Sequence, residues 1–340
     1  LRGVHLVFRM KRLICEIVCP GVLLLGEVVM APEKVVPYFG TVDKPECHLL
    51  YNVTTMASTW HTVATRDVSL LRRQLDIVAG LPRDYVFQNY LRCHDDIGWG
   101  LDYDYLENFG IQEVPHKKYL NDFLTGKYPD SFARGELYND DPRLGDARLC
   151  GTTASLCGIE RFGFEGNEEG VDRAIRYDIT LHAFMLSQSG IPVIYSGDEI
   201  GQLNDYSYKD DPDKAADSRY LHRGNFNWDL AENRHRPGTV QNKLFPVLDK
   251  LEHLRMEHSV FNSEVPFRTI DTWDDAILAI DRENDEEKFI GIYNFSEFDK
   301  VAWINEDDGM YTDLISGRVL EAKGVQIPAF GCYWLCRRKK

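Results

Sequence analysis

The sequence predicts an α/β protein with parallel strands, followed by an antiparallel β domain. In the first part of the chain, apolar strand patterns alternate with amphipathic helical patterns, which is typical of βα units. After Trp99 this alternation stops for a long polar segment, as it would for an inserted lid or subdomain. From Phe267 onward the pattern changes to short alternating strands. The predicted domains are residues 1–262, with an insertion at about 100–170, and residues 263–340.

The first predicted elements are a helix and a buried strand. Apolar residues recur at helical spacing over residues 4–18, and Cys19-Pro20-Gly21 ends that pattern. Residues 22–29 are continuously apolar apart from Gly26 and Glu27, which predicts a strand buried on both faces of a parallel sheet. The other predicted elements of this domain are a short helix or turn at 32–39, strands at 48–52, 86–92 and 191–195, and helices at about 56–78, 117–124, 171–189 and 243–261.

The second domain is predicted from short apolar stretches separated by turns rich in Asp, Asn and Gly. The predicted strands cover residues 276–280, 289–295, 301–304, 325–327 and 332–335. Neither an internal repeat nor a low-complexity segment occurs in the sequence. We therefore expect one compact β domain at the carboxyl end.

The charge balance is compatible with an uncharged ligand. The 340 residues contain 54 acidic and 39 basic side chains, for a formal net charge of −15. Such a surface repels nucleic acid and anionic membranes, so neither is predicted as a partner. No apolar run is long enough for a membrane helix. A sugar fits this composition, whereas the oligomeric state cannot be read from it and the cytoplasm is only slightly favoured as location.

The eight cysteines are scattered, and several lie inside apolar patterns. This distribution favours reduced, buried thiols over a disulfide framework. Cys15 with Cys19 and Cys332 with Cys336 lack the two-residue gap usual in zinc sites. We therefore expect no metal ion.

Two acidic groups follow directly on apolar strand patterns. His94, Asp95 and Asp96 follow the pattern at 86–92, and Glu27 follows the run at 22–25. The carboxyl ends of parallel strands are where barrel enzymes hold their chemistry. Two acids there are the minimum set for cleaving a glycosidic bond. A His-Asp-Asp metal cluster is the alternative, but consecutive residues of an extended chain point to opposite faces.

Several segments together resemble a known enzyme family. They are Gly26-Glu27 with Ala31-Pro32, the run from Arg92 to Trp99, Gly190-Ile191-Pro192 and the run from Tyr195 to Gly201. In this order they resemble the late signature segments of the α-amylase family of glycoside hydrolases. The resemblance extends over nearly the whole chain. Within the family the sequence is most similar to amylosucrases, on three further segments: Ser131 to Gly135, Leu203-Asn204-Asp205 and Asp217-Ser218-Arg219. The resemblance implies the C-terminal half of a (β/α)8 TIM barrel, with an insertion after strand seven and a C-terminal antiparallel β-sandwich domain.

The resemblance also implies roles for six residues. Glu27 resembles the general acid/base, and we expect burial against Leu25 and Val28 to raise its pKa. Asp95 resembles the acid that binds sugar hydroxyls and stabilises the oxocarbenium-like transition state, with His94 donating to the same sugar. Arg219 resembles an arginine that closes the glucosyl pocket by pairing with an Asp of the first half-barrel. Asp96 and Arg134 resemble residues that contact the fructosyl side of sucrose. An ordinary loop residue is the alternative for Glu27, Asp96, Arg134 and Arg219.

The family's nucleophile is an Asp in a Gly-x-Arg-x-Asp segment, which does not occur in the 340 residues. Arg176-Tyr177-Asp178 is similar, but it lies in a helical pattern and lacks the Gly. The first residue already falls inside a helical pattern, so we expect a C-terminal fragment. Such a fragment is predicted to be inactive and poorly stable, because an open half-barrel exposes sheet edges and apolar surface.

The function that the resemblance implies is retaining, amylosucrase-type glucosyl transfer from sucrose to an α-glucan or to water. Sucrose and α-glucan are then the expected partners, and the implied reaction needs no cofactor. An α-glucosidase or a trehalose-forming sibling is one alternative. A non-catalytic sugar-binding remnant of the barrel is the other.

Overall fold

A four-stranded parallel sheet lies at the centre of the first domain in the computed structural model, which describes residues 2–30, 32–141, 143, 145–304 and 309–339. In chain order, the strands of this domain are β1 (Leu25–Gly26), β2 (Gly40–Thr41), β3 (Lys44–Pro45), β4 (Leu49–Tyr51), β5 (Val86–Tyr90), β6 (Glu136–Tyr138), β7 (Arg148–Cys150) and β8 (Ile191–Val193). The central sheet has the order β1-β4-β5-β8, and all three of its strand pairs are parallel. The carboxyl ends of β1 and β5 therefore lie at the same edge of the sheet.

Helices connect and cover these strands. They are α1 (Arg2–Val18), α2 (Pro32–Val35), α3 (Val53–Thr65), α4 (Ser69–Ala79), α5 (Tyr103–Leu106), α6 (Glu113–Leu124), α7 (Thr153–Cys157), α8 (Ile159–Phe164), α9 (Glu168–Ser187), α10 (Trp228–Glu232) and α11 (Val240–Glu257). The predicted alternation of strands and helices is therefore present. Among the described helices, none combines the length and the apolar character needed to cross a bilayer.

The single helix predicted over residues 56–78 is wrong, because α3 and α4 are separate helices. Arg66 adopts a left-handed conformation with φ of 64° and caps α3 by donating its N–H to the carbonyl of Thr62. The Arg66 guanidinium lies 5.2 to 5.6 Å from the ring centroids of Phe123, Phe132 and Phe330. These three aromatic contacts come from distant parts of the chain, so helical periodicity alone does not reveal the break.

The strand predicted over residues 22–29 is also too long. Only Leu25 and Gly26 pair with β4, and β1 is an edge strand of the described sheet. Val22, Leu23 and Val29 are exposed, because no second described strand covers them. The helix α1 is present as predicted and is held by His5 and Arg9, which both contact the buried Glu46 carboxylate. Most of its apolar side chains are nevertheless exposed.

The segment after β5 contains more regular structure than predicted. In addition to α6, it forms α5, α7, α8 and the antiparallel hairpin β6–β7. A backbone bridge between Ile97 and Leu149 ties this hairpin to the exit of β5. The hairpin therefore stands beside the loop that carries His94 and Asp95.

The C-terminal part forms β strands, as predicted. In chain order they are β9 (Phe267–Ile270), β10 (Ile277–Glu283), β11 (Glu287–Asn294), β12 (Lys300–Trp303), β13 (Met310–Asp313), β14 (Val319–Glu321), β15 (Lys323–Ile327) and β16 (Cys332–Arg338). Six of them form an antiparallel sheet of order β14-β13-β16-β11-β10-β9, and β12 pairs with β15. Three of these strands, β9, β13 and β14, were not among those predicted. A buried apolar core that includes Ile292, Ala302 and Leu335 lies between the two sheets.

Candidate active site

A cavity of about 1030 Å³ opens at the carboxyl ends of the central strands. Glu27 follows β1 directly, and the segment 93–96 follows β5. Glu27, Asp95 and Asp96 all line this cavity. The two strand ends that the sequence singles out therefore contribute acids to one cavity, as parallel pairing requires.

Glu27, His94 and Asp95 form a tight group at this edge. One side-chain oxygen or nitrogen atom from each residue lies within 4.8 Å of the other two. The His94 Nε2 atom is 3.6 Å from Asp95 Oδ2. The expected burial of Glu27 is wrong, because its side chain and its neighbour Leu25 are both exposed. β1 is an edge strand of the described sheet, and its exit faces the open cavity.

Two arginines hold the Asp95 carboxylate. Arg219 Nη1 lies 3.3 Å and Arg223 Nη2 lies 3.1 Å from the same oxygen, Asp95 Oδ1. Arg223 also donates its Nε–H to the carbonyl oxygen of His94. Arg223 therefore connects the backbone of one cluster residue with the side chain of the next. Nothing in the spacing of the sequence points to this residue, and it was not predicted.

Arg219 is itself fixed by Asp217 in a two-point ion pair. Its Nε and Nη2 atoms lie 2.9 and 2.8 Å from the two oxygens of Asp217. The hydrogen bonds from Arg219 hold the pKa of Asp217 below its usual range and raise the pKa of Arg219. The guanidinium carbon also lies 4.5 Å from the ring centroid of Tyr138, at the end of β6. The acids that Arg219 contacts in this structure are therefore Asp217 and Asp95.

Buried polar side chains connect the segment that carries Asp95 with the segment that carries Arg219. Arg92 forms an ion pair with Asp198 at 2.8 Å, and each side chain is only 2% exposed. Arg92 also donates to the carbonyl oxygen of His222 at 3.2 Å, and the Nδ1 atom of His222 accepts the N–H of Gly151 at 3.1 Å. Burial, together with the nearby Arg92 charge, lowers the pKa of His222 to about 3. His222 is therefore neutral, as its acceptor role at Nδ1 requires.

The structure separates the two residues predicted for the fructosyl side. Asp96 lines the cavity, and its Oδ2 atom lies 3.4 Å from Arg148 Nη1. Arg134 is not among the described residues that line the cavity. Its Nη1 atom donates to the carbonyl of Ala133 at 2.8 Å. Arg134 therefore does not join Asp96 in this conformation, and the substrate-binding role assigned to each residue stays a prediction.

Two residues of the segments that were compared with the family, Trp99 and Asp178, are buried. Trp99 is buried, its Nε1–H donates to Asn121 Oδ1 at 2.8 Å, and its side chain forms part of the cavity wall. Asp178 is fully buried inside α9, with its Oδ1 atom 2.8 Å from His182 Nδ1. Asp178 is therefore not among the described residues that line the cavity, although Arg176-Tyr177-Asp178 is similar to a nucleophile segment.

The group formed by Glu27, His94 and Asp95 offers oxygen and nitrogen atoms that could coordinate a cation. Two guanidinium groups already contact Asp95 at 3.1 and 3.3 Å, and their positive charges would repel a second cation at that carboxylate. The group therefore fits a sugar, whose hydroxyls can both donate and accept hydrogen bonds, better than it fits a metal ion.

Similarity to known proteins was found at the sequence level. No protein-family model matches the chain. The chain is 24% identical over 318 residues to glucosylglycerate phosphorylase of Escherichia coli K12, an alignment that covers 93% of this chain and 53% of that protein. It is 27% identical over 199 residues to trehalose synthase of Thermus thermophilus, covering 58% of this chain and 16% of that protein. The chain thus spans about half the length of the first of these relatives.

Solved structures show the same fold. An Anoxybacillus α-amylase superposes with a TM-score of 0.58 at 15% identity, covering 99% of this chain and 56% of that one. Sucrose 6F-phosphate phosphorylase from Thermoanaerobacter thermosaccharolyticum superposes with a TM-score of 0.60 at 16% identity, covering 92% of this chain and 53% of that one. These neighbours have the α-amylase type of TIM barrel, followed by an antiparallel β domain.

Proposed function

The relatives and the structural neighbours indicate a member of the α-amylase superfamily, and from this premise we propose that the chain carries the acid/base half of a retaining glucosyl-transfer site for α-glucosides. The observation that supports this most strongly is the convergence of Glu27 and Asp95 on one cavity, with side-chain atoms within 4.8 Å. The sequence resemblance assigns both residues to this chemistry. The exposed position of Glu27 gives it access to a bound substrate.

In the proposed reaction, Glu27 protonates the glycosidic oxygen as the bond to the leaving group breaks. It later takes the proton from the acceptor hydroxyl, so that its charge returns to the starting state. The Asp95 carboxylate contacts Arg219 and Arg223, and its negative charge stabilises the positive charge that develops on the sugar ring. His94 lies next to Asp95 and donates to the same sugar.

The nucleophile of this reaction is proposed to come from polypeptide outside the 340 residues. A retaining mechanism needs a carboxylate that forms a covalent β-glucosyl intermediate. The motif that carries this Asp in the family does not occur in the sequence, and Asp178 is buried in α9. Residues 1–340 alone are therefore proposed to have no turnover.

Amylosucrase-type transfer from sucrose to an α-glucan or to water is the first candidate for the donor and the acceptor. It is favoured by the resemblance to amylosucrases at residues 131–135, 203–205 and 217–219. Phosphorolysis is the second candidate. It is favoured by the relative that matches 93% of the chain and by a structural neighbour, since both are named as phosphorylases of glucosides. Arg148 and Lys117 line the cavity and could bind phosphate, although each now pairs with an acid.

The test incubates residues 1–340, and any longer product of the same gene, with sucrose, maltose and glucosylglycerate, each with and without inorganic phosphate. Fructose and α-glucan from sucrose alone identify amylosucrase-type transfer. Glucose 1-phosphate that forms only with phosphate identifies a phosphorylase. Trehalose or glucose from maltose identifies a trehalose-forming enzyme or an α-glucosidase.

Two results would contradict the proposal. Turnover by residues 1–340 alone would show that the nucleophile lies within them. A longer product that binds these sugars without converting any of them would favour the alternative of a non-catalytic sugar-binding protein.

A further inference from the structure

A second group of possible metal ligands lies in the C-terminal part, away from the cavity. His258 follows α11, Glu287 begins β11, and Cys336 lies in β16. None of the three is among the described residues that line the cavity. Their positions are far apart in the sequence, which is why cysteine spacing gave no indication of this group.

The sheet register brings two of these side chains onto one face. β11 and β16 are antiparallel, with Phe289 opposite Cys336. Opposed residues share a face, and so do residues two apart on one strand. Glu287 and Cys336 are therefore diagonal neighbours on the same face, and the turn after α11 brings His258 to them.

The three ligand atoms are close enough to share one ion. His258 Nδ1 lies 2.8 Å from Glu287 Oε1 and 3.9 Å from Cys336 Sγ. One ligand atom from each of the three residues lies within 4.8 Å of the other two. Zinc binds nitrogen and oxygen at about 2.0 to 2.2 Å and sulfur at about 2.3 Å, so small side-chain adjustments would place an ion between them.

A buried atom at this place has no partner. Glu287 is 6% exposed, and its Oε2 atom accepts no hydrogen bond from any described residue. A buried carboxylate oxygen without a donor is costly. A cation beside it would remove that cost, whereas the His258 contact satisfies only the other oxygen.

From these observations we propose that His258, Glu287 and Cys336 form a binding site for Zn²⁺, with water as the fourth ligand. A thiolate, an imidazole and a carboxylate together suit zinc better than magnesium or calcium, which prefer oxygen ligands. Binding releases the proton of the Cys336 thiol to solvent, and the proton that His258 Nδ1 shares with Glu287 Oε1 also leaves this hydrogen bond, so that all three ligand atoms can bond to the ion. The ion ties the end of α11 to the β sheet.

The experiment measures zinc binding by residues 1–340 after removal of metal with a chelator. Competition with a chromophoric chelator gives the affinity and the stoichiometry, and thermal unfolding with and without ZnCl2 gives the stabilisation. We expect one tightly bound zinc per chain and a melting temperature that rises with zinc. Because the chain has eight cysteines and ten histidines, each variant is compared with a matched control.

Cys336→Ser and His258→Gln are expected to weaken zinc binding at least tenfold and to abolish the thermal shift. Cys19→Ser and His253→Gln change an exposed thiol and an exposed histidine and are expected to bind zinc as the unaltered chain does. With Co²⁺ in place of zinc, the thiolate-to-cobalt absorption band should be present in the unaltered chain and absent in Cys336→Ser. This band reports the cobalt–sulfur bond itself, and its presence in the unaltered chain does not depend on the stability of any variant.

Equal zinc affinity in Cys336→Ser and the unaltered chain, or a cobalt complex without a thiolate band, would overturn the proposal. A chain that binds no zinc would overturn it as well. None of these three results would bear on the glucosyl-transfer proposal, since the two sites share no residue.

Discussion

A carboxylate oxygen of Glu27 and one of Asp95 lie within 4.8 Å of each other, although the two residues leave different strands. The parallel pairing of β1 with β4 and of β4 with β5 places both strand ends at one edge. The acid that would move the proton and the acid that would stabilise the sugar cation thus face the same cavity.

The first prediction concerns Arg223, which contacts both the His94 carbonyl and the Asp95 carboxylate. Lysine keeps the charge at this position but cannot make both contacts, so Arg223→Lys should leave Asp95 poorly oriented. Losing a hydrogen bond to a charged group costs about 1.5–3 kcal/mol, which predicts a fall in kcat/KM of about 10- to 100-fold. Steady-state kinetics measure this fall in the active gene product, by which we mean a longer product of the same gene that turns over one of the sugars.

Arg12→Lys serves as the control, since Arg12 pairs with Glu16 on α1 and does not line the cavity. Unchanged kcat/KM in Arg223→Lys would mean that Asp95 needs no support from this arginine.

The second prediction concerns the buried ion pair of Arg92 and Asp198. Asp198→Asn leaves the Arg92 charge buried without its counter-charge, and we expect a loss of about 3–5 kcal/mol in the free energy of unfolding. Urea unfolding of residues 1–340 measures this loss. The double variant Arg92→Met with Asp198→Leu should recover much of it, because it removes both charges.

Asp141→Asn is a matched control at a surface pair with Arg143, where we expect little change. Equal losses at positions 198 and 141 would contradict the buried pairing.

The third prediction is a pH dependence from His222. Its pKa is about 3 in the folded chain and about 6.5 when unfolded. Between these values the unfolded chain binds a proton that the folded chain does not. The free energy of unfolding therefore falls as the pH falls, by about 1.4 kcal/mol per pH unit from this group.

His222→Asn should reduce that slope, because asparagine does not titrate and its side-chain oxygen can still accept the Gly151 N–H. Urea unfolding between about pH 6 and pH 4 compares the two slopes. His61, whose pKa burial also lowers to about 3, contributes equally to both chains. Identical slopes would show that His222 is not held neutral.

The sequence predicted those parts of the fold that depend on local patterns. The strand that ends before His94, the helix α9 and five C-terminal strands follow from periodicity and turn residues, and each is present. The break between α3 and α4 depends on Arg66 and three distant aromatic rings. No window of sequence contains those contacts together.

In the candidate site, too, some residues can be predicted from local patterns and others depend on distant contacts. Glu27 and Asp95 could be found because each follows an apolar strand, and parallel strands bring their ends together. Arg223 could not be found, since its contacts with His94 and Asp95 depend on how the loop after β8 returns to the sheet. The exposure of Glu27 depends on the edge position of β1, which strand patterns do not give.

The most direct test of the central claim compares two donors in Glu27→Gln of the active gene product. Sucrose needs a proton on its leaving oxygen, whereas α-glucosyl fluoride has a leaving group that departs without one. If Glu27 is the general acid, turnover of sucrose should fall by about 10²- to 10⁴-fold, and release of fluoride should fall much less. An equal fall with both donors, or no fall with sucrose, would contradict the account.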